Sequence, residues 1–186
     1  MSKADFDAFV KRQQAEEKKE AELDPKQQLR EWLDYLNALY EQIADHLKEY
    51  LDTGAAKITL RDIQLDEEFS GVYTARELIL KIGPSTVTFT PIGTMLIGTK
   101  GRVDVQGPRG TARLVLVNKK VTDARQLIKV TVRRVGGPPL PPAPPTEQVI
   151  KQIEWTWKLS TPPPEMKFTE LTQDTFFNMI LAVANG

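Results

Sequence analysis

Cysteine is absent from the 186-residue chain, and histidine occurs once, at His46. The first absence removes disulfides, thiolate nucleophiles and sulfur-ligated metals. The second removes the common zinc ligand sets, which need several imidazoles or thiolates together. A serine triad would have to recruit His46 as its base. That residue falls inside a helical pattern between the apolar positions Ile43 and Leu47, and no Gly-x-Ser-x-Gly occurs anywhere. No stretch approaches the ~20 apolar residues of a membrane helix. No apolar core follows a basic start in the first residues, so a signal peptide is not expected and a cytoplasmic location is.

What the chain has is a globular balance: 40% hydrophobic residues, 27% charged residues and a formal net charge of zero. The charge is unevenly spread. Residues 1–99 hold 12 basic and 18 acidic side chains, residues 100–134 hold 10 and two, and residues 135–186 hold three and five. A concentrated positive segment is the electrostatic mark of an anion-binding face, or of one half of a molecule complementing the other.

Residues 4–22 are rich in helix formers, with one apolar patch, Phe6, Phe9 and Val10, and little to bury beyond it. They read as a helical arm over 1–23. Asp24-Pro25 then opens a helix whose apolar positions, Leu29, Trp32, Leu33, Leu36, Leu39, Tyr40, Ile43, Leu47, Tyr50 and Leu51, recur at three- and four-residue steps, with Gly54 placed to end it. From Lys57 the period becomes two. Ile58 and Leu60 alternate, then Ile63 and Leu65 resume on a shifted phase, which predicts a bulge near Arg61-Asp62. Asp66-Glu67-Glu68 reads as a solvated turn, and the acidic trio lacks the glycine and spacing of a calcium loop. Strands are expected over 69–82, around Val87 and Phe89, over 95–98, 102–106 and 111–117, over 127–135 and over 148–159. Pro91 should bend its strand or put it at an edge. Gly107-Pro108-Arg109-Gly110 should close a tight hairpin, with Gly110 left-handed. Six prolines lie within residues 138–145, which predicts an extended polyproline loop over 136–146. Thr172 should cap a last helix with Phe176, Phe177, Ile180, Leu181 and Val183 on its apolar side.

Tight turns between successive strands argue for antiparallel pairing. The expected fold is therefore α+β: N-terminal helices, an antiparallel sheet or partly open barrel of seven or eight short strands, and a C-terminal helix packed on it, as one domain over 24–186. Gly98-Thr-Lys-Gly101 lacks the spacing of a phosphate loop and reads as a turn. With no nucleophile, metal cluster or cofactor fingerprint, the expectation is a non-enzyme without cofactor. It would be a protein-binding or assembly module, through self-association or a partner, with no membrane. Its candidate contacts are Phe6, Phe9 and Val10 on the arm and Pro138, Pro141 and Pro144 at the polyproline pitch. An immunity- or antitoxin-like protein that neutralises its partner is one alternative. Nucleic-acid or polyanion binding through 100–134, by Arg102, Arg109, Arg113, Lys129 and Arg133, is the other. Against it, that segment contains no Phe, Tyr or Trp for base stacking.

Overall fold

A computed structural model describes residues 25–68, 70–94, 99–127 and 154–185. The expected arm, the strand over 95–98, residues 128–135 of another and the polyproline loop lie outside the described residues. Among those described, the chain is α+β. The elements run α1 (Pro25–His46), α2 (Lys48–Asp52), β1 (Ala56–Glu67), β2 (Gly71–Ile82), β3 (Ser85–Gly93), β4 (Gly101–Gln106), β5 (Thr111–Asn118), a 3₁₀ turn (Ala124–Leu127), β6 (Trp155–Ser160), β7 (Phe168–Glu170) and α3 (Gln173–Ala184). The seven strands lie side by side in chain order, every pair antiparallel. β1 and β7 are the two edges, so the sheet is open rather than a barrel.

Both long helices cover the same face. Trp32, Leu36, Leu39, Tyr40, Ile43 and Leu47 from the first helical region join Phe176, Met179, Ile180 and Val183 from α3. They meet Leu78, Leu80, Val87, Phe89, Val103, Val105, Leu114, Leu116 and Trp157, which alternate along β2 to β6. The predicted stripe and strand phases are thus the core, except that Tyr50 at the end of the stripe and Leu60 of β1 are exposed. Trp32 lies with its ring centroid 6.0 Å from that of Trp157, whose indole N–H donates to the Tyr35 carbonyl at 2.9 Å. Gly101 passes directly beneath Trp32, where a Cβ would overlap the indole ring. The helix over 25–51 is interrupted at Leu47 rather than continuous, and Gly54 follows with φ of 75°. Thr172 caps α3, accepting from the Thr175 N–H in a reciprocal box. Leu181, expected on the apolar side, is exposed.

The phase shift in β1 has a different cause from the expected bulge. β1 and β2 pair one-to-one over twelve residues, from Ala56↔Ile82 to Glu67↔Gly71, without a break. β2 leaves β3 after Leu78↔Phe89. Beyond that point the two strands form a free ribbon, and strand twist is largest in two-stranded ribbons. The same core takes Ile58, Leu78 and Leu80 from one side of the ribbon and Ile63, Leu65, Tyr73 and Ala75 from the other. The irregularity in register falls instead between Pro91 and Gly93, opposite β4. Pro91 is tolerated inside the sheet because the ladder to β2 has already ended. The β4–β5 hairpin forms as expected, with Gly107 N–H donating to Gly110 O at 2.9 Å, but Gly110 is not left-handed. Leu127 ends a 3₁₀ turn rather than opening a strand.

Gly101→Ala should therefore destabilise the fold by roughly 1–3 kcal/mol, the usual range for overpacking, while Gly110→Ala, whose nearest neighbour is 3.9 Å from the added Cβ, should leave the urea midpoint almost unchanged. Equal midpoints for the two variants would contradict the placement of Trp32 over β4.

Candidate functional site

The side of the sheet away from the helices is only partly covered. At one end Val115, Val117 and Phe168 pack beneath Val121, Ala124, Leu127 and Met166. There Lys158 is 2% exposed, and its ammonium donates to the carbonyls of Lys119 and Val121 at 2.7 and 2.8 Å. Over β1 to β4 no described segment covers the surface. Strand alternation puts Lys57, Thr59 and Arg61 there from β1, Glu77, Ile79 and Lys81 from β2, Thr86, Thr88 and Thr90 from β3, and Arg102, Asp104 and Gln106 from β4. β5 adds Thr111 and Arg113.

Register turns these residues into a polar row across the sheet. Arg61 lies opposite Glu77, Thr90 opposite Asp104, Asp104 opposite Arg113 and Arg113 opposite Ser160. Glu77 is buried at the point where the ribbon turns. It accepts from Arg61 and, at 2.6 Å, from the Thr90 hydroxyl. Arg102 grips Asp104 through Nε and Nη2 at 2.6 and 2.7 Å. Arg113 Nε stands 3.7 Å from the same carboxylate, buried and without a hydrogen bond. Lys57 and Lys81 face each other directly, and neither has an ion-pair partner among the described residues.

Of the expected anion-binding residues, Arg102 and Arg113 are thus brought together around Asp104. Arg109 is apart from them, exposed at the β4–β5 hairpin tip, where its backbone N–H donates to Val183 O at 2.9 Å. It borders an open depression of about 660 Å³ with Thr86, Gln106 and Asn185. Lys129, Arg133, Phe6, Phe9, Val10, Pro138, Pro141 and Pro144 lie outside the described residues. Lys100, also in the basic segment, turns to the helical side. It bonds Glu31 at 2.6 Å, which holds the Glu31 carboxyl below its ordinary range, and lies near the Tyr35 and Trp155 rings. His46 is half-buried, its ring 5.5 Å from that of Phe176.

Asp66-Glu67-Glu68 is not a solvated turn. β1 continues to Glu67, which is buried and accepts from the Tyr73 hydroxyl, the Thr94 hydroxyl at 2.6 Å and the Thr94 N–H at 3.2 Å. Gly93 is required beside it, since a Cβ there would strike the carboxylate. Burial first, and Glu67 second, raise the pKa of Tyr73; burial also raises that of Tyr40, whose hydroxyl donates to Arg76 O at 2.5 Å. Sequence reasoning missed Glu67, Glu77 and Lys158 as buried charges. For Glu77 a signal existed, because it separates the two apolar phases Tyr73/Ala75 and Leu78/Leu80. Among the described residues no group of three His, Asp or Glu could hold a metal ion, and no helix is long and apolar enough to cross a membrane.

Comparison with family models, with curated proteins and with solved structures finds no match.

Two outcomes follow. Asp104→Asn removes the acid that two arginines share. It should raise the salt concentration needed to elute the protein from heparin, and unchanged elution would mean that Asp104 does not mute the positive face. Tyr40 and Tyr73, with folded pKa values above the unfolded value near ~10, contribute stability that is fully present below pH ~10 and lost as pH rises further. Melting temperature should fall in that alkaline range, and less steeply in a Tyr40→Phe/Tyr73→Phe double variant.

Proposed function

We propose that this chain is a non-catalytic binding module that docks a protein partner bearing acidic side chains on the β1–β5 face turned away from the helices. The carrying observation is the charge pattern of that face. Five cations, Lys57, Arg61, Lys81, Arg102 and Arg113, stand against two carboxylates, Glu77 and Asp104. Directly opposed like charges such as Lys57 and Lys81 are unfavourable on a sheet unless something acidic comes between them. Between them Thr59, Thr86, Thr88, Thr90 and Thr111 offer short side chains that hydrogen-bond without bulk, alongside Ile79 and Gln106.

A protein surface suits this face better than nucleic acid. Arg61 and Arg102 already donate to carboxylates, so the field is too broken for a run of phosphates. The β1–β5 side of the sheet presents no aromatic ring in this area for stacking. The immunity-like role is one form this docking could take, with the partner as the neutralised protein.

Thr88→Arg puts a long charged side chain in the middle of the face without touching the core. Cross-linking mass spectrometry in native-host extract should then lose the partner captured by wild type, while Lys48→Glu on the helical side keeps it. Capture that survives Thr88→Arg would overturn the reading, as would capture limited to a second copy of this chain. Tight retention of DNA or RNA at about 150 mM salt would favour the nucleic-acid alternative instead.

A further inference from the structure

Arg113 stands in the wall of a cavity of about 300 Å³ at the end of the uncovered face, with Asp104, Gln106, Thr111, Ser160 and Thr161 around it. Three arginines lie on this face, and two are hydrogen-bonded to carboxylates: Arg61 donates to Glu77, and Arg102 holds both oxygens of Asp104, with which Arg113 makes only an ionic contact. Arg113 donates to nothing among the described residues. Its nearest carboxylate oxygen is 3.7 Å away, beyond hydrogen-bond distance, and its buried Nε has no partner. A guanidinium presents five donors in a planar fork, shaped for two parallel bonds to one carboxylate. Gln106 and Thr111 face each other across the hairpin end, on the rim of the same cavity.

The charges select the ligand. Arg102 and Arg113 against Asp104 leave a single positive charge, enough for a monoanion. A dianionic phosphate would carry its second charge up to Asp104. We infer that this cavity receives one carboxylate from an acidic side chain of the docked protein, paired with Arg113 and bordered by Gln106, Thr111 and Ser160. This rests on the docking reading above and names the group that is recognised.

The test is a titration of the full chain, labelled with ¹⁵N, following the Arg113 Nε–Hε resonance. The probes are a blocked peptide containing one aspartate, acetate, and inorganic phosphate at matched ionic strength. The peptide should give a saturable shift, with phosphate and acetate each at least about tenfold weaker. Arg113→Gln should lose the binding about tenfold or more, and Arg113→Lys should keep part of it, because a lysine retains the charge but not the fork. No saturable shift, equal binding of phosphate, equal binding of acetate, or an unaffected Arg113→Gln variant would each overturn the assignment. The two readings fail separately. If Thr88→Arg abolishes partner capture and Arg113→Gln does not, the docking face stands and the carboxylate site falls. If Arg113 binds the peptide and Thr88→Arg captures its partner normally, the docking face falls.

Discussion

Everything in this fold follows from both helical layers lying on one face of an open sheet. α1 and α3 are each amphipathic, so each has one apolar side to bury. Trp32, Leu36 and Ile43 from α1 and Phe176 and Ile180 from α3 enter a single core with Phe89, Val105 and Leu116. That arrangement buries most of the helical apolar surface described, with Tyr50 and Leu181 left exposed, and gives the opposite side of β1–β4 to residues that are polar apart from Ile79. The threonines of β3 and the Arg102–Asp104 pair of β4 occupy the positions that alternate with Val87, Phe89, Val103 and Val105. Roof and open face are thus written into the same strands, one residue out of step.

The ribbon of β1 and β2 solves a related problem. Its inner half is held flat by β3, and its outer half is free to twist. By changing which side faces inward it brings Ile63, Leu65, Tyr73 and Ala75 into the same core as Leu78 and Leu80. Two buried carboxylates anchor this turn. Glu77 sits where the phase changes, held by Arg61 and Thr90. Glu67 ties the far end to Thr94 through hydroxyl and backbone donors. Removing either acid's partners would leave a buried charge unsatisfied, which is the costly way to lose a hydrogen bond.

Much of the fold was legible in the sequence because periodicity reports burial directly. The helix through Trp32 and Ile43, the alternation at Val103/Val105 and Trp155/Trp157/Leu159, and the Thr172 cap all appear in the structure where the pattern puts them. The phase shift at Ile63 was also visible, but a bulge and a twisted ribbon give the same pattern in one strand. Only the unbroken pairing with β2 separates them. The polar face was harder to read. Arg102 and Arg113 looked like members of a basic segment. Their shared dependence on Asp104 comes from register between β4 and β5, which no local pattern encodes. Glu67, in an acidic trio at the end of a strand, resembles a turn until Thr94 is brought to it from 27 residues away.

Docking on the side of β1–β4 away from the helices requires that side to be open in the full chain. Methyl relaxation of the intact protein by a soluble gadolinium chelate reads this directly. The methyl groups of Thr86 and Thr88 should be relaxed strongly, while those of their strand neighbour Val87, and of Val103 and Leu114, stay protected. Threonine methyls as protected as those of Val87 would show that the face is covered, and would contradict the account.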